Sequence, residues 1–147
     1  MTVLYSTELA SIAATPVVKA NATKGYGARL RRYRGTITYA TQRYAGGGPD
    51  TTIVAVVPAG SIFAFGVITS DTSSGSCTIG VGITGSTVKY KAQAAFTATE
   101  TPTVFGKAAV VGLATPLIAD ETIFVTYGAA DAPASGTLVI DLYFTNG

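Results

Sequence analysis

Residues 77–85 read CTIGVGITG, and two incompatible folds can be built on them. Gly80, Gly82 and Gly85 satisfy G-x-G-x-x-G, the dinucleotide-binding pattern in which glycines let a pyrophosphate approach the N-terminus of a helix. That chemistry needs a helix to begin there. Cys77, Ile79, Val81 and Ile83 instead alternate with Thr78, Gly80, Gly82 and Thr84, the period of a half-buried strand with its apolar side chains on one face. No βαβ unit surrounds the stretch, and the nearest downstream acid, Glu100, has no strand end to occupy. The glycines read as the small face of a strand, which another backbone or sheet can approach closely.

The same period continues on both sides. Gly35 to Thr41 alternates around Ile37 and Tyr39, and Ala45-Gly46-Gly47-Gly48-Pro49-Asp50 breaks it. Thr51 to Val57 and Ser61 to Thr69 are β-branched and aromatic; Pro58-Ala59-Gly60 between them suits a tight turn, so the pair reads as a hairpin. Both strands are apolar on both faces and are expected to lie centrally. Asp71 to Gly75 is a loop by composition. Lys91 to Thr101, where alanines favour helix and Phe96, Thr97 and Thr99 oppose it, reads as a loop with at most one helical turn. Ala108 to Leu113, Thr122 to Tyr127 and Thr137 to Thr145 complete the set. In the last, Leu138, Ile140, Leu142 and Phe144 face inward and Val139, Asp141 and Tyr143 outward. A long small-residue turn, Gly128 to Gly136, precedes it. Short strands without interleaved helices define an all-β chain, an antiparallel β-sandwich; their number and uneven loops favour a jelly-roll-like arrangement. An immunoglobulin sandwich would want paired cysteines and a central tryptophan, and the chain has one cysteine and no tryptophan.

Length and composition agree. At 147 residues the chain fits one domain with a substantial core. No apolar run approaches the ~20 residues of a spanning helix, so no membrane partner is expected. No basic segment precedes an apolar stretch at the start, so synthesis and assembly in a reducing compartment such as the cytoplasm are expected, with Cys77 a small buried hydrophobe.

Chemistry is hard to place. With no histidine, the Ser-His-Asp and Cys-His arrangements and the usual zinc sites are excluded. The acids are dispersed and lack calcium-loop spacing. Asp120-Glu121 and Asp141 are the carboxylates that acid–base work would use, and a solvated turn and a solvated face account for them. Lys89 and Lys91 flank no nucleophile turn. No enzyme, catalytic residue, cofactor or metal is expected.

Charge is the informative feature. Residues 1–43 carry seven basic side chains against Glu8 alone, whereas residues 44–147 carry three lysines against seven acids. Four arginines fall in GARLRRYRG, residues 27–35. In an extended chain Arg29 and Arg31 project to one side and Arg32 and Arg34 to the other, with Leu30 and Tyr33 interleaved. Such a segment suits an arm lying between protein partners, a strand paired within its own sandwich, or phosphates. The acidic remainder offers no continuous basic footprint, so nucleic acid is the least favoured. Residues 1–34 are expected to form an extended basic N-terminal arm, with a short helix near 7–15, and residues 35–147 the β-sandwich domain. Arg29, Arg31, Arg32, Tyr33 and Arg34 are the candidate partner-binding residues.

The arrangement resembles phage capsid decoration (cement) proteins and related small virion structural proteins. The resemblance lies in the basic lead-in Tyr26 to Ile37, the strand end and turn Val56 to Phe63, the Gly-rich strand Thr78 to Gly82, and Leu117 to Phe124. It implies a jelly-roll-like body on the capsid exterior of an icosahedral bacteriophage head, stabilising it. The body would bind the major capsid protein across capsomer junctions as a homodimer or homotrimer. It carries over no catalytic residue. Two other readings share the fold: a tail- or fibre-associated virion protein, and a carbohydrate-binding sandwich. The second needs an aromatic platform, and Tyr33, Tyr39, Tyr44, Tyr90, Tyr127 and Tyr143 are dispersed.

Overall fold

Leu138, Ile140, Leu142 and Phe144 are completely buried, and the strand that carries them organises one of two sheets. In the computed structural model, which describes residues 29–42, 51–106 and 115–146, this strand is β8 (Thr137–Asn146). It pairs on one side with β1 (Leu30–Thr38) and on the other with β3 (Ser61–Ser70), which in turn holds the short β6 (Thr103–Phe105). The second sheet has the order β2-β7-β4-β5. Its members are β2 (Thr51–Val57), β7 (Glu121–Gly128), β4 (Thr78–Ile83) and β5 (Ser86–Ala95). One helical turn, α1 (Tyr39–Gln42), follows β1 directly.

The pairing is nested. β1 lies against β8, β2 against β7, β3 against β6 and β4 against β5, each antiparallel. A chain folded back on itself in this way and rolled into two sheets is a jelly roll, so the expected all-β sandwich is the one formed. The core lies between the sheets, where Ile37, Ile68, Ile79, Val81, Ile123, Val125 and the four β8 residues are fully buried. Each large apolar side chain so buried contributes about 1.5–3 kcal/mol against exposure. An aromatic group spans the layers at one end: Phe63 lies 4.6 Å from Tyr90 and 5.2 Å from Phe144 between ring centroids, and Tyr33 meets Phe144 edge-on at 5.7 Å.

Several expectations are corrected. The stretches 51–57 and 61–69 do not form a hairpin, because β2 and β3 belong to different sheets. Pro58-Ala59-Gly60 is a corner between layers, pinned by Gly60 N–H donating to Leu117 O and Leu117 N–H to Ser61 O, both at 2.8 Å. Proline followed by a glycine at φ +82° serves a corner as well as a reversal. The tight hairpin lies instead between β4 and β5, through Thr84-Gly85, with Ile83 opposite Ser86. The segment 91–101 is not a loop from its start, since β5 runs to Ala95. Pairing with β4 overrides alanine's helical preference, and the Lys91 ammonium donates to Ile79 O at 2.8 Å. The first strand begins at Leu30 rather than Gly35 and ends at Thr38 rather than Thr41, so residues 30–34, expected in the arm, lie in the sheet. The strand expected over Ala108 to Leu113, the break at 45–50 and the helix near 7–15 lie outside the described residues.

Two close approaches fix the layers. Gly82 sits under the backbone of Ser86 and Thr87, where a Cβ would meet Ser86 O at 2.2 Å; the motif glycine makes room for a folded-over strand. Gly35 faces the core across from β2, and a Cβ there would lie 2.4 Å from the Cβ of Val54. Val54 is the extra residue where the β2–β7 register shifts between Ile53 and Ala55, and that bulge closes the edge between β1 and β2. Gly35→Ala is expected to cost about 1–3 kcal/mol through overpacking, read as a lower denaturant midpoint with an unchanged slope.

Candidate partner-binding surface

The basic segment is an edge strand. Each residue of β1 from Leu30 to Thr38 stands opposite one of β8, so its outward or inward direction is set by the β8 alternation. Tyr33 is opposite Leu142 and points inward, half-buried against Phe144. Arg34 is opposite Asp141 on the outer face and grips it bidentately, Nε to Oδ1 at 2.8 Å and Nη2 to Oδ2 at 2.7 Å. The hydrogen bond to Asp141 and then its charge raise the Arg34 pKa further above its already high value. Arg29, Arg31 and Arg32 are exposed and form no ion pair with any described residue. The five candidates therefore divide. Tyr33 packs on the core, Arg34 is paired with Asp141 on its own sheet, and Arg29, just before β1, with Arg31 and Arg32 near its start are presented to solvent. Arg32, opposite Tyr143, is on the outer face.

That outer face is more apolar than the sequence suggested. The register of β3 against β8 shifts between Phe63 and Phe65, and the bulge at Ala64 turns Phe65 outward although it is two residues from inward Phe63. Phe65 stacks on Tyr143 with centroids 4.5 Å apart and planes 19° apart. Val67 and Val139 are half-buried beside them. Leu30 is 52% exposed on one edge strand and Val104, opposite Val67, 69% exposed on the other.

The far end of the same face is acidic. Thr69, Ser70, Asp71, Glu100, Thr137 and Val139 line a shallow open cleft there. Asp71 Oδ1 accepts from Thr137 N–H at 2.7 Å and from the Thr72 hydroxyl at 2.9 Å. These bonds, the backbone one first, hold its carboxyl below the usual carboxylate range. Glu100 stands at φ 57°, an uncommon conformation for a residue with a side chain, fixed by its N–H donating to Ser70 O at 2.7 Å.

The other carboxylates have structural partners. Asp120 Oδ1 accepts from Ala59 N–H at 2.8 Å, and Glu121 accepts from both Lys89 and the buried Tyr90 hydroxyl. Asp141, expected alone on a solvated face, is 7% exposed and paired with Arg34. Among the described residues no group of histidine, cysteine or acidic side chains is placed to hold a metal ion, and no helix is long and apolar enough to cross a membrane. Cys77 is fully buried, and burial raises its thiol pKa. Tyr39, Tyr90 and Tyr127 are buried, and Tyr143 has Phe65 against its ring, so the described tyrosines make no open platform for a sugar.

No protein-family model and no curated protein matches the chain. Its fold is similar to chains in three solved assemblies. One, in the Cyanophage Pam1 capsid asymmetric unit, aligns with TM-score 0.64 and 18% identity over 91% of this chain and 96% of that one. Another, in the capsid of Ralstonia phage GP4, gives 0.61 and 15% over 81% and 85%. A third, in the acidic stable capsid structure of Helicobacter pylori bacteriophage KHP30, gives 0.56 and 8% over 79% and 86%.

Sequence reading found the arginines but not the face they border. Phe65, Val67, Val139 and Tyr143 read as ordinary strand residues, and Asp71 and Glu100, 29 positions apart, as loop residues. The bulge and the β3–β8 pairing that unite them leave no local pattern.

Two outcomes test these assignments. Arg34→Gln is expected to lower the melting temperature, because it strands the shielded Asp141 carboxylate, whereas combined Arg29→Gln, Arg31→Gln and Arg32→Gln should leave it unchanged. Asp71 has a folded-state pKa below its unfolded value, so its stabilisation is complete above pH ~4 and is lost as pH falls through the folded value. Asp71→Asn should therefore lower the melting temperature at pH 7, with the difference from wild type shrinking as a titration is carried into acid.

Proposed function

We propose that the chain is a virion structural protein of the decoration or cement kind. It binds the outside of an icosahedral phage head across capsomer junctions, on the major capsid protein, as a homo-oligomer. The observation that carries this reading is the likeness of nearly the whole chain, with its two-sheet jelly roll, to chains of similar extent in phage capsid assemblies. The residue chemistry supports the same direction. Asp120, Glu121, Asp141, Lys89 and Lys91 are engaged in holding the sandwich, and the surface is instead differentiated into an apolar sheet face, a basic edge and an acidic end. A cement protein needs such surfaces, because it stabilises a shell by binding the assembled state and not its dissociated subunits, and symmetry multiplies each weak contact.

Arg29, Arg31 and Arg32 act as partner contacts in this reading, while Arg34 and Tyr33 set the strand that presents them. Residues 1–28 reach onto neighbouring subunits. Purified protein added to heads that lack it should bind and raise the temperature at which they break open. The chain shortened to residues 29–147 keeps the whole of β1 and should retain its β-sheet circular dichroism yet fail to bind. Labelled protein seen by electron microscopy on tails rather than heads would move the assignment to a tail- or fibre-associated protein. Undiminished head binding by the shortened chain would remove the arm from the mechanism.

A further inference from the structure

The outer face of the β1-β8-β3-β6 sheet has its charges segregated along the strand direction. At one end stands Arg32, opposite Tyr143; at the other stand Asp71 and Glu100, beside Thr137 and Val139. From Tyr143 back to Thr137 along β8 is about 20 Å at ~3.4 Å per residue. Half-buried Tyr143 and Phe65 adjoin the basic pole and half-buried Val139 the acidic one, and between them lies Val67, with exposed Val104 beside it at the edge. Neither Arg32 nor Glu100 forms an ion pair with a described residue.

A face with a basic pole, an apolar middle and an acidic pole is complementary to itself after a half-turn about an axis through its centre. The rotation that brings each basic pole over an acidic one lays the Phe65–Tyr143 end of one subunit against the Val139–Thr69 end of the other. We infer that this face is an isologous interface with a second copy of the chain, in which Arg32 of each subunit enters the cleft of the other beside Asp71 and Glu100. The partner's chemistry follows from the arrangement. A partner with a uniformly acidic surface would satisfy Arg32 but set like charges against Asp71 and Glu100, and a uniformly basic one would do the reverse; a second copy satisfies both poles. Asp71 already has hydrogen bonds from Thr137 and Thr72 that keep it in place, so the acidic pole is preorganised. Arg34 is held at the middle of the face by Asp141 and adds no unpaired charge there.

The size of the face sets the strength. Four strands at ~4.8 Å spacing and about eight residues of strand length give roughly 500 Å² on each subunit, less than the ~800 Å² per partner of a standard stable interface. The dimer is therefore weak and concentration-dependent in solution, and on a shell it is reinforced by the other contacts of each subunit. The inference deepens the cement reading by naming the partner of Arg32 as a second copy, but its test is separate.

Sedimentation velocity on the full chain over a concentration series is the measurement. Wild type should pass from monomer to dimer, and the transition should move to higher concentration as salt is added. Arg32→Glu and Glu100→Arg each place like charges together at both symmetric contacts and should each weaken the dimer at least about tenfold. An equimolar mixture of the two variants should associate again, because both contacts of the mixed pair then join opposite charges. Circular dichroism of each variant verifies that it is folded. A wild-type monomer at every concentration, a trimer, a dimer indifferent to both reversals, or a failure of the mixture to associate would each overturn the inference. If Arg32→Glu still dimerises but no longer binds heads, the cement reading stands and this one falls; a dimer that behaves as described but binds no head has the opposite consequence.

Discussion

The pairing of β8 with both β1 and β3 is the constraint from which the remaining structure follows. β8 buries Leu138, Ile140, Leu142 and Phe144 completely, which fixes which way every residue of its two neighbours points, because a slip of one residue would turn all of them over. Through β1 that register places Tyr33 on the core, Arg34 on Asp141 and Arg32 on the outer face. Through β3 and its bulge it places Phe65 on Tyr143. The outer face of this sheet is thus the reverse side of the hydrophobic core, and a change in one register would rearrange both.

Much of this was legible in the residues. The alternation of Cys77 to Thr84 and of Thr137 to Thr145 dictated strands and excluded the nucleotide reading of the glycines, and Gly82 does accept a close backbone. What the residues could not convey was partner choice. Pro58-Ala59-Gly60 has the chemistry of a reversal and performs a crossing between sheets, since both need the same local backbone and differ only in which distant strand is waiting. Ala92, Ala94 and Ala95 suit a helix until β4 offers a ladder of hydrogen bonds. At the candidate surface, the four arginines looked like one cluster. The structure divides them because Asp141, 107 positions from Arg34, happens to be its cross-strand neighbour, and nothing local to either residue announces that.

The comparisons fit this division between scaffold and surface. Identities of 8–18% accompany TM-scores of 0.56–0.64, as expected when alternating apolar positions and a few close approaches specify a sandwich and leave its outward positions free to vary. Sites are grafted onto such outward positions rather than onto the fold. Among the described residues of the β1-β8-β3-β6 sheet they include a stacked aromatic pair, several valines, exposed Arg32 and the acids at the opposite pole.

The nested pairing also has a consequence for when the molecule becomes whole. β4 and β5 are joined by two residues and can zip together as soon as both have left the ribosome, whereas β1 must wait for β8, about 100 residues further along the chain. Loop-closure entropy and high contact order make such a search slow. The basic edge strand is therefore made early and seated late. Until β8 arrives, Arg34 has no carboxylate opposite it, and the face bordered by Arg32 does not exist. A chain caught before that step lacks the whole outer face of this sheet, with its basic edge, stacked aromatics and acidic end.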